Sequence, residues 1–199
     1  MKTKLPQTPL ISVCDKGFIN KGGTGAPSTT VIKQSVLLTD IHRYIVSERA
    51  RQATLDLRAT ADEKLQKTKK ALNFYSCTPN GTFTYRKADH LVSASGMMVI
   101  DFDNLAPDKL AELLRLLPHD RRYETELMFT SPRGNGIKWF IACGERGEKE
   151  FGRHFDDISD YIAFEYGVRP DPSGKDIARC CYLSWDPDCY INPRFSETL

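Results

Sequence analysis

The apolar residues of this chain come in short blocks whose period changes along its length. LISVCDKGFI, residues 10–19, has two apolar runs parted by Asp15 and Lys16, which predicts a first strand or strand pair. From Ser35 the period lengthens. Val36, Leu37, Ile41, Tyr44 and Ile45 recur at helical spacing, and the predicted helix runs past Arg49 and Arg51. ADEKLQKTKKAL predicts a second, very basic helix, and SCTPNGTFTYR a turn and short strand signalled by Asn80-Gly81. GMMVIDFD is almost unbroken in its apolar character, as a central strand buried on both faces would be. APDKLAELLRLLP puts Leu110, Leu113, Leu114 and Leu117 on one helical stripe. ELMFTS and GIKWFIAC read as two strands of a hairpin joined by PRGN. EKEFGRHFDDISDYIAFEYG is an amphipathic helix with Phe151, Phe155, Ile158 and Ile162 inward and Gly167 placed to cap its end; RCCYLSWDP is a last strand. The second half therefore runs strand–helix–strand–strand–helix–strand. The expected fold is α+β, an RRM-like or ferredoxin-like antiparallel sheet core with an N-terminal α/β lobe.

At 199 residues the chain is long enough for one domain with its own core. The expected division is a basic lobe over residues 1–90 and the RRM-like core over 91–199. The net charge of +2 conceals that division: residues 1–90 carry 15 Lys and Arg against 7 Asp and Glu, and residues 91–199 carry 13 against 19. A basic half beside an acidic half suits nucleic acid on one side and a metal on the other, although solvated helix faces produce the same totals. No apolar run has the length of a membrane span, and MKTKLPQTPL lacks the apolar stretch of a secretion signal. The expected location is cytoplasmic, without membrane contact. Cys14, Cys77, Cys143, Cys180, Cys181 and Cys189 form no C-x-x-C pair, so they are expected to be reduced, mostly buried small hydrophobes rather than zinc ligands. NKGGTGAPSTT lacks the Lys-Ser or Lys-Thr that closes a P-loop and reads as a mobile loop. The ending RFSETL suits a domain excised from a longer protein.

The chemistry gathers where the apolar strand meets VIDFD. Alternation puts Asp101 and Asp103 on one face and Phe102 on the other. Two carboxylates so placed repel, and a divalent cation removes the conflict; few hard oxygen ligands with room for phosphate oxygens suit Mg2+ or Mn2+. Solvated carboxylates at a strand end are the competing reading. In the hairpin, TSPRGNGIKWFI sets Ser131, Arg133, Gly134, Gly136 and Lys138 around one turn, where glycines let backbone N–H groups near a phosphate and Lys138 adds charge. An ordinary glycine turn with an exposed lysine fits that stretch equally well. In RPDPSGKDIARCCYL, Asp171 is a candidate third carboxylate and Arg179 a candidate triphosphate ligand, with Asp176 a rival for the third acid. Asp186 and Asp188 read as turn residues.

In order along the chain, these pieces resemble the archaeo-eukaryotic primase, or primase–polymerase, superfamily. VIDFD resembles its paired-acid strand, SPRGNGIKWF its small-residue turn, and Asp171 with Arg179 its third acid and nucleotide-binding arginine. Over roughly residues 60 to 195, including FTSPRGNGIKWFIAC and DPSGKDIARCCYLSWDPDCYINP, the chain more closely resembles the VirE N-terminal domain family. The resemblance implies a metal-dependent primase–polymerase domain of replication or mobile-element maintenance. Asp101, Asp103 and Asp171 would be the catalytic and metal-binding acids. Ser131, Arg133, Gly134, Gly136, Lys138 and Arg179 would bind a nucleoside triphosphate, and Arg49, Arg51, Lys67, Lys69 and Lys70 would track a DNA or RNA template. It also implies a helicase-like region elsewhere in the natural protein. The histidine of the superfamily's turn is replaced here by Lys138, which can still meet phosphate but not act as a neutral imidazole. A replication-accessory module without turnover is therefore a second expectation. A third is a haloacid-dehalogenase-like phosphatase, whose start MMVIDFDN also resembles, although Leu105 sits where that family has Thr or Val.

Overall fold

The computed structural model describes residues 7–19, 25–26, 31–145 and 147–198. Most of the expected loop at 20–30 lies outside them. The elements in chain order are β1 (Leu10–Cys14), β2 (Phe18–Ile19), β3 (Gly25–Ala26), β4 (Ile32–Leu37), α1 (Leu38–Val46), α2 (Arg51–Arg58), α3 (Glu63–Asn73), β5 (Ser76–Thr78), β6 (Gly81–Phe83), β7 (Leu91–Ala94), β8 (Met97–Phe102), α4 (Pro107–Leu116), β9 (Thr125–Thr130), β10 (Ile137–Ala142), α5 (Glu148–Tyr166), β11 (Cys181–Tyr182) and β12 (Tyr190–Ile191). The fold is α+β, and every paired strand is antiparallel to its partner. The doubly wound parallel sheet of a haloacid dehalogenase is not this architecture.

Two four-stranded sheets, in the orders β11-β5-β1-β4 and β12-β9-β10-β8, build the core. One face of the second sheet meets α4 and α5: Met98, Ile100 and Phe102 of β8 pack with Leu113, Phe155, Ile158 and Ile162. Its other face meets the first sheet and α1, where Met97 and Val99 pack with Ile11, Ile41, Ile45 and Phe140. That double coverage is why β8 is apolar from Met97 to Ile100. Yet β8 is not central as expected. It stands last in its sheet with β10 as its one strand partner among the described residues. Helices and the first sheet bury its faces, and the chain around Asp171 covers its outer edge.

The N-terminal helix is shorter than its period predicts. Val36 and Leu37 belong to β4, and α1 starts after Leu37, whose N–H donates to Asp40 Oδ2 at 3.1 Å. Helix α1 stops before Arg49 because Ser47 folds back, its N–H and Oγ both donating to Tyr44 O at 3.2 and 2.8 Å. Asp62 then caps α3 by accepting from Leu65 N at 2.6 Å. In the second half, β8, β10 and β9 have the adjacency of the first three ferredoxin-like strands. The last strand departs from it. Arg179 precedes rather than opens β11, β11 pairs with β5 through Cys181↔Cys77, and the far edge of the core sheet is taken by β12. The run breaks after Tyr182 because Ser184 and Asp186 turn to the end of β9, Ser184 Oγ donating to Thr130 O at 2.7 Å and Thr130 N to Asp186 Oδ2 at 2.6 Å. Five of the six cysteines are buried, and all six are free thiols. Among the described residues no helix is long and apolar enough to cross a membrane.

Candidate functional site

The two aspartates sit where β8 ends. Strand alternation sends Phe102 into the helix-side core and leaves Asp101 on the opposite face, 4% exposed. Asp103 lies one residue past the strand and is exposed. Asp171 arrives from the chain after α5, its N–H donating to Asp101 O at 2.8 Å along the open edge of β8. Its carboxylate is oriented by the short turn that follows, with Ser173 N donating to Asp171 Oδ1 at 2.9 Å. One carboxylate oxygen from each of Asp101, Asp103 and Asp171 falls within 4.8 Å of the others. Asp176 is elsewhere: its Oδ1 accepts from Ala178 N at 2.8 Å and its backbone O from Arg179 N at 2.9 Å, so it shapes the turn that presents Arg179.

Cations surround these acids. Lys138 stands opposite Asp101 in the β8–β10 register, and its ammonium contacts Asp101 Oδ1 with side chains only 10% and 6% exposed. This lysine is buried, not the exposed one that a plain glycine turn would carry. Burial works against its charge, but Asp101, with Asp103 adding, holds its pKa above that of an ordinary lysine. Arg179 bridges two acids, with Nη2 at 3.2 Å from Asp101 Oδ2 and 2.7 Å from Asp171 Oδ2. Burial opposes its charge too, and those two carboxylates outweigh it. For Asp171 burial raises the pKa, but the Ser173 hydrogen bonds and then Arg179 leave it below the usual carboxylate value. Lys70, on α3, lies 5.3 Å above the Tyr182 ring. Burial and then the charges of Lys138 and Arg133 depress its pKa, with Asp103 and Asp101 opposing. Arg133 has a buried Nε without a hydrogen-bond partner among the described residues.

The hairpin turn that supplies Ser131 and Arg133 is pressed onto β8. Ser131 N donates to Gly136 O at 2.8 Å and Gly134 N to Ser131 O at 2.9 Å. Gly134 has φ +83°, and a Cβ on Gly136 would lie 2.1 Å from Phe102 O. Gly136 therefore serves the approach of turn to strand. Arg58 of α2 braces the turn from the other side, Nη2 donating to Ser131 O at 3.3 Å.

The five basic residues expected on a template differ in their neighbours. Lys70 belongs to the acidic site, Lys69 Nζ donates to Thr60 Oγ1 at 2.9 Å, and Lys67 is exposed. Arg51 lies 5.2 Å over the Trp185 ring and pairs with Glu48 at 3.2 Å; Arg49 lines a separate cavity. Arg58 and Tyr182 are neighbours of the site that the expected set omitted. Neither sits in a motif, and only the packing of α2 and β11 brings them there.

The acids, the hairpin and the arginine all fall within residues 67–191, which match the family described as BT4734-like, N-terminal domain. The chain belongs to this family. The BT4734-like region runs from α3 through β12, so β1, β4, α1 and α2 lie outside it. No curated protein matches the chain. Among solved structures it is similar to the polymerase domain of Mycobacterium tuberculosis ligase D in complex with DNA, at 12% identity and a TM-score of 0.38 over 58% of this chain and 48% of that one. The chain thus spans about half of that structure.

Proposed function

We propose that this BT4734-like chain carries a nucleoside-triphosphate site of primase–polymerase type, related to VirE N-terminal domains and assisted by Mg2+ or Mn2+. The observation that carries the reading is the convergence of Asp101, Asp103 and Asp171, 70 residues apart at the extremes, beside Lys138 and Arg179 and within the field of Lys70. The donor set fits a hard divalent cation: three carboxylates, one buried and two reachable from solvent. Such an ion, when bound, would activate a hydroxyl and neutralise phosphate charge. Asp101 is the anchor of the set, with Lys138 and Arg179 balancing its charge. Asp171 and Asp103 face the entering group. Arg179, Arg133 and Lys70 supply fixed positive charge for phosphate oxygens, and Arg179 can exchange a carboxylate for a phosphate without leaving its place.

The test is calorimetric titration of a deoxynucleoside triphosphate with and without Mn2+, beside a primer-extension assay. Binding should require the cation and should vanish in Asp103→Asn, an exposed position, with the melting profile retained; unchanged binding in that variant overturns the reading. The Lys138 ammonium on Asp101 favours a second reading, a triphosphate-binding accessory module without turnover. Cation-independent binding with no extension would select it.

A further inference from the structure

A second site lies on the first sheet, sharing no residue with the acidic one. Between β1, β4 and α1 there is a cavity of about 460 Å3, lined by Lys16, Lys33, Tyr44, Arg49 and Tyr75 above Leu183. Tyr44 and Tyr75 meet edge to face, with ring centroids 5.7 Å apart at 80°. The Lys16 and Lys33 ammoniums sit 5.2 and 5.1 Å from the centroid of Tyr75. Lys33 also pairs with Asp15 at 3.2 Å, with both side chains about half exposed. The acid of the lining, Asp40, is committed elsewhere, accepting from Leu37 N at 3.1 Å and Arg43 Nη1 at 3.0 Å. The guanidinium of Arg49 has no ion-pair partner among the described residues. Three cations, one of them paired with the exposed Asp15, thus gather round aromatic rings, and the acid of the lining is occupied.

We infer that this cavity binds single-stranded nucleic acid, one base stacking on Tyr75 and flanking phosphates meeting Lys16, Lys33 and Arg49. An exposed cation–π contact is weaker than the stacking of a base on the same ring. A base can therefore take the face of Tyr75 while both ammoniums swing outward, and the phosphates that accompany it receive them. Duplex DNA offers neither an unstacked base face nor splayed phosphates at that spacing. The inference rests on the proposed function for its class of partner, and on this cavity for everything else.

The probe is a fluorescein-labelled oligothymidylate of about a dozen nucleotides, followed by anisotropy over a salt series. The double variant Lys16→Glu/Lys33→Glu, both at exposed positions, should weaken binding at least ~10-fold and flatten the log K against log salt slope by about 1.4, at ~0.7 for each lost phosphate contact. Tyr75→Phe keeps the ring and should bind as the parent does; Tyr75→Leu should weaken binding about as much as the double variant. Asp103→Asn, an exposed change that disables the acidic site, should leave oligonucleotide binding unchanged, so failure of the acidic site is read separately. Oligonucleotide binding within ~2-fold of the parent in the lysine double variant overturns the inference. So does duplex of the same length binding as tightly through the same lysines, or a phosphopeptide displacing the oligothymidylate at equal concentration.

Discussion

Substituting Lys138→Met removes one charge from the acidic site and little volume. The aliphatic stem is kept, the ammonium is lost, and Asp101 remains 4% exposed with Arg179 Nη2 at 3.2 Å as its one cationic partner. Breaking a buried pair by removing one member costs ~3–5 kcal/mol, because the other charge stays desolvated. Arg179 still serves Asp101, so the lower end applies, about 3 kcal/mol. For a chain of 199 residues each kcal/mol moves the melting midpoint by ~2–4 °C, giving a fall of about 6–12 °C. The same reasoning predicts two rescues. Lys138→Met/Asp101→Asn should recover most of the loss, since the uncompensated charge is gone. Millimolar Mn2+ should raise the midpoint of Lys138→Met more than that of the parent, because a cation then enters without competing against the lysine; saturation at 100 times Kd is worth ~2.7 kcal/mol. Thermal and urea unfolding of the three proteins, with and without Mn2+, measures all of it. A single variant within about 1 kcal/mol of the parent, or equal Mn2+ shifts in both, refutes the claim that Lys138 is the resident counter-charge of Asp101.

Three other perturbations report on the frame that holds the site. Gly136→Ala drives a Cβ to 2.1 Å from Phe102 O, a backbone atom that cannot step aside, so a loss of ~2–4 kcal/mol together with loss of triphosphate binding is expected in melting and titration; a stable, binding-competent variant contradicts it. Glu126 is fully buried, and burial lifts its pKa to about 7 against the opposing Arg194, 2.5 Å away. The folded chain therefore keeps a proton that the unfolded chain releases between roughly pH 4.5 and 7, and stability falls as pH rises through that window, by on the order of 3 kcal/mol. Glu126→Gln should flatten that part of the profile, and a difference between variant and parent that does not change with pH counts against it. Asp120 accepts from Arg122 N and Tyr123 N at 2.8 and 2.6 Å and from the hydroxyls of Tyr161 and Tyr166, so Asp120→Ala strands four donors and should lower stability by ~3 kcal/mol or more in urea unfolding.

What could be read from residues alone was whatever depends on local period and neighbours. The helices at Pro107–Leu116 and Glu148–Tyr166, the hairpin of β9 and β10, the left-handed cap at Gly167 and the burial of the cysteines all follow from spacing within a dozen residues. The helix predicted from Ser35 begins at Leu38 instead because Val36 and Leu37 fit both periods; antiparallel pairing with β1, a tertiary fact, decides for the strand. Lys138 was legible as a cation near the turn but not as the partner of Asp101, since only the register of β10 against β8 sets those two side by side. Lys70 looked like one more lysine on a basic helix. Its neighbours are residues 31 to 68 positions away, Asp101, Asp103, Arg133 and Lys138, and no pattern within α3 announces them.

The departure of the last strand explains why the site is where it is. In a complete ferredoxin-like sheet the fourth strand would lie along the outer edge of β8, its backbone bonded to every second residue there. Here that segment gives β11 to β5 in the other sheet, and the edge of β8 is left to the chain that precedes it. Among the described residues one backbone hydrogen bond, Asp171 N to Asp101 O, docks this chain at the end of the strand, one residue from Phe102. A regular strand partner would point alternate side chains at the two faces and away from the edge. A docked turn is free to do otherwise: Ser173 fixes the carboxylate of Asp171 toward the acids, and Asp176 O holds Arg179 N so that the guanidinium reaches back to both. The third acid and the arginine therefore arrive together, as one consequence of one missing strand. A substitution that drew this turn away from β8 would disconnect both at once while leaving Asp101, Lys138 and the sheet in register.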